Sequence, residues 1–319
     1  MISRRRLMGA ALVAGTAASI AACSSPDSTS PASDAGGSDG GAAKDSAEVL
    51  SGVTVSGEVG QEPSIALSAP LSFTGSHSAL VSSGSGTVVT EDSTIITRSA
   101  FFDPSTGDLL ASQWASSAFG VFQVNAETIG PEAATFFVDK TAGSRFLMAG
   151  EAGGQQVIQV GDIDGVALQR ADGTAEPLPP ELPSFTLGED GSPTLDAPPT
   201  GPAPTAQITA LAQRGSGREA AVGDTLVMHY RGWTWEGEEF DSSWGRGTPF
   251  SFVLGQGQVI EGWDSGLVGV AAGSQVVLAL PPAVAYGNEG ESTSELAGKT
   301  LLFVADVLYV ASPSALEVQ

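Results

Sequence analysis

The residues best suited to chemistry lie in the last third of the chain, where aromatic side chains recur with few charges between them. The charged residues assigned to the same site are Asp241 and Arg246. The aromatic residues assigned to it are Tyr230, Phe240, Phe250, Phe252, Trp263, Tyr286 and Phe303. Rings grouped in this way predict one apolar pocket within residues 223–310.

Strands must position the residues of this pocket, and local sequence patterns predict the first two strands. Apolar and polar residues alternate over 225–231, which predicts a half-buried strand with Tyr230 on its apolar face. Glu236 and Gly237 supply a turn, after which Phe240 starts the return strand.

Further elements follow along the chain. Phe250, Phe252 and Leu254 share one strand face, and residues 275–281 and 300–310 are predicted to be long strands. One short amphipathic helix is predicted from the spacing of Ile260, Trp263 and Leu267. The expected architecture is four or five antiparallel strands wrapped over one helix.

Several ordered motifs of this segment, among them GQGQVIEGW, PPAVAYG and TLLFVADVL, match one family together. Residues 207–310 resemble an FKBP-type peptidyl-prolyl cis-trans isomerase domain. The resemblance implies an α+β fold, in which a bent antiparallel sheet surrounds a short helix and leaves a shallow hydrophobic pocket.

The resemblance also implies roles for individual residues. Trp263 would be the pocket floor, Tyr286 would lie on the loop above it and Phe303 would close the back. The Ile260 backbone N–H and the Tyr286 hydroxyl would bind ligand carbonyl oxygens. The remaining implied catalytic residues are Tyr230, Phe240 and Asp241, and the remaining implied substrate-binding residues are Arg246, Phe250, Val259 and Leu296.

The chemistry of such a family suits these residue types. Rotation of an Xaa-Pro amide crosses a barrier of about 18–20 kcal/mol without breaking any bond. A dry aromatic floor raises the relative cost of the more polar planar amide, and oriented dipoles fix the flanking peptide. No cofactor, metal ion or general base is therefore expected. The resemblance also implies Xaa-Pro protein segments and FKBP-class macrolides as ligands.

The sequence departs from the family pattern at two places. Gln258 stands where a carboxylate is frequent, and the loop 288–299 is polar where many relatives place aliphatic residues and a histidine. Leu296 is the residue of this loop expected to replace that apolar contact.

The composition is strongly acidic, with 36 Asp and Glu against 13 Lys and Arg. Repulsion from phosphate groups excludes nucleic acid as an expected partner and opposes adsorption to anionic lipid. Attachment to a membrane therefore needs another device.

The N-terminal sequence predicts such a device for attachment to a membrane. Arg4, Arg5 and Arg6 precede an apolar stretch that is too short to span a bilayer, and the stretch ends at Ala21-Ala22-Cys23. This pattern resembles the lipobox of bacterial lipoproteins, which implies acylation of Cys23 and anchoring to the outer face of the cytoplasmic membrane. An ordinary cleaved signal, a signal anchor and twin-arginine export are the alternatives left open.

Four segments are expected in chain order: a signal peptide at 1–22, a flexible tether at 23–46, and two domains at 47–182 and 183–319. The two domains share motifs about 130 residues apart, such as GSG at 84–86 and at 215–217. We therefore expect a tandem repeat of one fold. The Pro-rich segments 177–183 and 198–204 are expected to be extended spacers.

The first copy has lost the pocket residues. Ser99 stands opposite Tyr230, Ala133 stands opposite Trp263, and the segment that corresponds to the Tyr286 loop is about fourteen residues shorter, from the alignment of 157–162 with 301–306. Isomerase activity is therefore expected only in the second copy. The alternative function is a non-catalytic surface chaperone or binding lipoprotein that uses the same fold.

Two features invite other interpretations that the sequence does not favour. Gly255-Gln256-Gly257 has the wrong context for a nucleotide-binding loop and is expected to be a turn. His229 faces away from Tyr230 by strand alternation, and its only fellow imidazole is the distant His77, so a metal site is not expected.

Overall fold

The computed structural model describes residues 45–313, so the predicted signal peptide, Cys23 and nearly all of the predicted tether lie outside the described residues. The chain forms two compact units. Of the described residues, the first unit contains 45–92, Thr97–Ser116 and Val124–Ile163, and the second contains Ser93–Ile96, Ser117–Gln123 and 164–313. Within residues 45–313, no helix is long and apolar enough to cross a bilayer.

The first half of the chain forms a two-stranded hairpin (β1–β2) and a six-stranded sheet, with strand order β3-β7-β8-β4-β5 and β6 paired with β4. The elements are α1 Ser46–Leu50, β1 Val53–Ser56, β2 Ser64–Leu67, β3 His77–Ser82, β4 Thr94–Phe102, β5 Leu109–Ser112, α2 Gln113–Ser116, β6 Gly120–Gln123, α3 Ala126–Ile129, α4 Pro131–Phe137, β7 Arg145–Ala152 and β8 Gln155–Val166.

A buried ion pair holds the hairpin β1–β2 of the first unit in place. The Arg145 Nε donates to Asp162 Oδ1 at 2.6 Å, and the two side chains are only 2% and 1% exposed. The guanidinium Nη2 also donates to Asp162 Oδ2 at 2.8 Å, and Nη1 and Nη2 donate to the carbonyls of Gly57, Glu58 and Gln61. Each of the three guanidinium nitrogens of this buried cation therefore has a partner, as a buried charge requires.

The second half of the chain forms a seven-stranded sheet, with strand order β14-β13-β17-β16-β12-β9 and β15 paired with β13, and a separate hairpin β10–β11. The elements are β9 Thr174–Ala175, β10 Phe185–Leu187, β11 Pro193–Leu195, β12 Ile208–Arg214, β13 Thr225–Thr234, β14 Glu239–Ser242, the 3₁₀ helix η1 Trp244–Arg246, β15 Phe250–Val253, α5 Glu261–Gly266, β16 Gln275–Leu280, the 3₁₀ helix η2 Pro282–Val284 and β17 Leu301–Ala311. The expected strands and helix are present, but the sheet has more strands than the four or five predicted, because β12 and β9 extend its edge.

The two sheets share an arrangement. β3-β7-β8-β4-β5 and β12-β16-β17-β13-β14 follow the same order along the chain and across the sheet. The Gly84 N–H donates to Ser144 Oγ at 2.9 Å, and the Gly215 N–H donates to Ser274 Oγ at the same distance. The two GSG motifs therefore make equivalent contacts.

Strand β13 is buried on both faces, which differs from the half-buried strand predicted. Leu226 and Met228 point into the core beside α5, but Val227 on the opposite face is also fully buried. Val227 packs against Leu308 and Ala311 of β17 and their neighbours. Only His229 and Arg231 of β13 are partly exposed.

The Pro-rich segments 177–183 and 198–204 were predicted to be extended spacers. In the structure, the segment that contains them packs on the outer face of the second sheet instead. We call residues 164–204 the N-terminal strap. Leu182 is 7% exposed and packs beside Trp233 of β13 and Trp235, which follows this strand. The Trp235 Nε1–H donates to the carbonyl of Gly201 at 3.0 Å. The strap therefore belongs to the second unit, whose longest continuous segment starts at Asp164.

Candidate active site

The indole of Trp263 lies at the centre of the aromatic cluster that the sequence predicts, and only 4% of this residue is exposed. The rings of Tyr230 and Phe303 meet it edge-on, with centroids 5.1 and 5.3 Å away. Phe252 and Phe250 lie 5.9 and 6.3 Å away. Strands β13, β15 and β17 each contribute rings, so the sheet and α5 together form one aromatic site.

Two glycines let α5 approach the sheet closely enough to place Trp263. A Cβ on Gly262 would lie 2.5 Å from Leu280 Cδ2, and a Cβ on Gly266 would lie 2.8 Å from Leu278 Cδ2. Any larger residue would push the helix away from β16. The Asp264 carboxylate accepts from the backbone N–H groups of Gly255 and Gly257 at 2.8 and 2.9 Å, which fixes the preceding turn.

Phe240 and Phe303 form the side of the cluster next to β14. Their rings meet edge-on at 5.5 Å. Gly232 lies beneath both, and a Cβ there would come within 2.7 Å of Phe240 Cζ and 2.8 Å of Phe303 Cε1. The glycine therefore provides the space in which these two rings meet.

A polar network stands beside the aromatic floor. The Tyr230 hydroxyl donates to one oxygen of Asp241, and Arg246 Nη1 donates to the other. Arg246 Nη2 also donates to the Tyr230 hydroxyl oxygen at 2.9 Å, and the guanidinium carbon lies 5.5 Å from the centre of the Tyr230 ring. Each of the three groups therefore contacts the other two.

The network adjusts the proton affinity of its members. Burial raises the pKa of Tyr230, and the hydrogen bond to Asp241 raises it further. Burial alone would raise the pKa of Asp241, but the hydrogen bonds from Tyr230 and Arg246 outweigh it, so this pKa lies below its usual value. Asp241 is therefore an ionised carboxylate and Tyr230 is a neutral phenol at neutral pH.

The remaining predicted site residues divide into two groups. Phe250, Val259, Ile260 and Leu296 are partly buried and pack against the core cluster that contains Trp263. Leu296 thus lies beside this cluster, and its contact with a ligand stays a prediction. Tyr286 does not join the cluster in this structure, because 38% of it is exposed on the loop between η2 and β17.

Sequence reasoning missed three residues next to the network: His229, Ser243 and Trp244. The fully buried Ser243 contacts both backbone groups of Tyr230, and the Trp244 ring stacks on His229 at 5.0 Å. Alternation did place His229 opposite Tyr230, but no local pattern indicates which ring covers it.

The corresponding position of the first unit is polar. The Ser99 N–H donates to Gln113 Oε1 at 2.7 Å, and Gln159 Nε2 donates to Ser99 Oγ at 2.9 Å. The loop of the Tyr286 type is also missing, since β7 and β8 are joined by Gly153 and Gly154 alone. Across residues 45–313, no three His, Cys, Asp or Glu side chains come together as a metal site.

Comparisons with known proteins show which family the sequence of the second unit resembles. Residues 216–308 match the family model described as FKBP-type peptidyl-prolyl cis-trans isomerase. The "FK506-binding protein" of Streptomyces anulatus is 47% identical over 98 residues, which cover 30% of this chain and 79% of that protein. "FK506-binding protein 1A" of Neurospora crassa is 42% identical over 97 residues, which cover 30% of this chain and 81% of that protein. The crystal structure of FkpA from Escherichia coli is 35% identical, with 34% of this chain and 50% of that chain covered and a TM-score of 0.31.

Proposed function

Because this chain belongs to the FKBP-type peptidyl-prolyl cis-trans isomerases, we propose that its aromatic cluster is the active site and that it assists the folding of exported proteins. The observation that carries the proposal is the enclosure of Trp263 by four aromatic rings beside the Tyr230, Asp241 and Arg246 network. An Xaa-Pro segment binds over Trp263 with its proline ring in the apolar pocket.

The pocket accelerates rotation by favouring the twisted amide. Twisting removes the conjugation of the amide and leaves less negative charge on the carbonyl oxygen, so a dry aromatic surface disfavours the planar form more than the twisted one. The Ile260 N–H and the Tyr286 hydroxyl hold the carbonyls of the flanking peptide. Each tenfold increase in rate requires about 1.4 kcal/mol of such preference.

The polar network has a supporting role in this mechanism. Asp241 already accepts hydrogen bonds from Tyr230 and Arg246, and its pKa lies below the usual value. It is therefore a poor proton acceptor, and the reaction needs no proton transfer. We assign the network to holding the Tyr230 ring at the wall of the pocket.

Two substitutions test this site in the full chain. Trp263→Ala and Tyr286→Ala are each expected to lower kcat/KM for a short Xaa-Pro peptide by about tenfold or more. Circular dichroism and thermal unfolding identify any variant that has lost its fold. Wild-type activity in both folded variants would contradict the site assignment.

The first unit is proposed to be a repeat of the same fold without isomerase activity. The shared strand order and the equivalent GSG contacts support the repeat, and the polar Ser99, Gln113 and Gln159 cluster supports the loss of catalysis. This unit then binds clients or has a structural role. Isomerase activity that is lost on substitution of Ser99 or Gln113 but retained in the folded Trp263→Ala variant would place catalysis in the first unit.

Location is proposed from the N-terminal sequence. The basic residues, the apolar stretch and Cys23 favour a lipoprotein at the outer face of the cytoplasmic membrane. The full chain expressed in a bacterium should incorporate labelled palmitate, and Cys23→Ser should abolish the label and release the protein from the membrane fraction. A membrane-bound, unlabelled wild-type chain would favour a signal anchor instead.

Macrolides of the FK506 class are proposed ligands of the same pocket, as the names of the relatives suggest. FK506 should inhibit isomerisation in competition with the peptide.

A folded wild-type chain that lacks turnover but retains the ability to bind unfolded protein would support the alternative function, a non-catalytic surface chaperone.

A further inference from the structure

We propose that His229, Ser243 and Trp244 are positioning residues for catalysis. One short turn contacts both faces of strand β13 and thereby places Arg246 over the Tyr230 ring. We call Ser243, Trp244 and Arg246 the strand clasp. The proposal rests on the proposed function of the aromatic site.

The strand clasp begins at Ser243, directly after the end of β14. The Ser243 N–H donates to the Tyr230 carbonyl at 2.9 Å, and the Tyr230 N–H donates to Ser243 Oγ at 2.8 Å. A serine hydroxyl thus takes the place of a backbone carbonyl in the ladder. The next residue is then free to turn away from the sheet, and η1 begins at Trp244.

The turn then passes to both faces of β13. Side chains of adjacent strand residues point to opposite faces, so His229 and Tyr230 lie on different sides of the sheet. The Trp244 ring stacks on His229, with centroids 5.0 Å apart and planes 19° apart. Arg246, two residues later, lies over the Tyr230 ring and contacts its hydroxyl. The strand is therefore held between Trp244 and Arg246.

Backbone hydrogen bonds make the turn stiff. The Arg246 N–H donates to the Ser243 carbonyl at 3.1 Å, and the Gly247 N–H donates to the Trp244 carbonyl at 3.0 Å. Gly247 has a φ of 68°, a left-handed conformation that glycine adopts readily. A displacement of Trp244 therefore carries Arg246 with it.

His229 contacts the first two residues of the strand clasp. Its Nδ1 lies 2.8 Å from Ser243 Oγ, the hydroxyl that also binds the Tyr230 backbone. Burial lowers the pKa of His229 to about 4, so the ring is neutral at neutral pH. The imidazole thus contacts two clasp residues at once, Ser243 through a hydrogen bond and Trp244 through stacking.

Two substitutions at His229 separate these contacts. His229→Phe keeps a ring under Trp244 and removes the hydrogen bond, whereas His229→Asn keeps a hydrogen-bonding group near Ser243 and removes the stack. Each is made in the full chain, alone and together with Arg246→Ala, and kcat and KM are measured for an Xaa-Pro peptide. Gln113→Ala, at the equivalent of Ser243 in the first unit, is the matched control.

The expected results form a double-mutant cycle. At least one His229 variant lowers kcat/KM about threefold or more when Arg246 is present and has little further effect in the Arg246→Ala background, because the clasp acts through Arg246. Gln113→Ala leaves kcat/KM unchanged. Equal losses in both backgrounds, or full activity of Arg246→Ala, would overturn the proposal.

A second measurement does not depend on activity. In the ¹⁵N-labelled chain the Arg246 Nε–H signal, assigned by its loss in Arg246→Ala, should show greater mobility in the His229 variants than in the wild type. Unchanged Arg246 mobility in both folded variants would refute the clasp even if the wild-type chain lacked turnover. Absence of turnover in the wild type would refute the proposed function alone.

Discussion

Asp306 offers the most quantitative prediction, because it is a buried carboxylate that lacks a cationic hydrogen-bond partner. It lies on β17 with 1% exposure, and its two oxygens accept from the Ala171 N–H and from Gln275 Nε2, each at 2.8 Å. Burial raises its pKa from 3.8 to about 6, although these hydrogen bonds and the charge of Arg170 oppose the rise. In the first unit, the equivalent Asp162 faces Arg145 instead.

The sign of the effect on stability follows from proton binding. The folded protein binds this proton more tightly than the unfolded chain, so Asp306 contributes stability at low pH that is lost as the pH rises through about 6. With these two pKa values, the loss between pH 4.5 and pH 7.5 is about 2 kcal/mol. Asp306→Asn removes this dependence and preserves the shape of the side chain.

The assay is urea unfolding of the wild type and Asp306→Asn at pH 4.5 and pH 7.5. Tryptophan fluorescence reports mainly on the second unit, which contains every tryptophan of the chain except Trp114. The stability of the variant relative to the wild type should increase by about 2 kcal/mol from the lower to the higher pH. Other titrating groups cancel in this difference. Asp172→Asn, which changes an exposed carboxylate of the same strap, is the control.

A constant difference between wild type and Asp306→Asn at the two pH values would refute the reasoning. It would mean that the buried site is accessible to water or that the strap opens around Asp306. Measuring the slope of the unfolding free energy against urea at both pH values tests the second explanation, since an open strap exposes less new surface on unfolding.

Three further substitutions test other parts of the molecule. Arg145→Ala leaves Asp162 buried without its cation and should destabilise the first unit by about 3–5 kcal/mol, measured by calorimetry, whereas an unchanged transition would show that the pair is not buried. Gly215→Ala places a Cβ 2.2 Å from the Ala272 carbonyl oxygen and should destabilise the second unit by about 1–3 kcal/mol in urea, and full stability would contradict this close contact. Asp241→Asn removes the charge that Arg246 contacts and should lower kcat/KM about two- to fivefold, because the pair is partly solvated; a loss of a thousandfold would indicate proton transfer instead.

Much of the second sheet could be predicted because its signals are local. The alternation around Tyr230, the turn at Glu236 and Gly237 and the helical spacing before Leu267 each lie within about ten residues. The burial of both faces of β13 could not be predicted in this way. It depends on Leu308 and Ala311 packing against Val227 and on Leu182 packing against Trp233, which are contacts between residues far apart in the sequence.

The residues of the candidate site could be predicted about as well as the strands of the second sheet. The rings around Trp263 were identified by residue type and order, and the structure brings most of them together. Tyr286 is the exception, since its loop holds it partly exposed. The roles of Ser243 and His229 were not predicted, because they depend on hydrogen bonds and stacking that only the folded turn creates.

Because of the N-terminal strap, the segment that must be transferred to keep the second sheet covered is longer than the region matched by the family model. The matched family region spans 216–308, yet Trp233 and Trp235 within it are covered by residues that precede it. A gene rearrangement that moved only the matched region into another protein would expose these indoles and favour aggregation. Recombination is therefore expected to preserve the second half of this gene from about residue 164 onward, so that strap and sheet are inherited together.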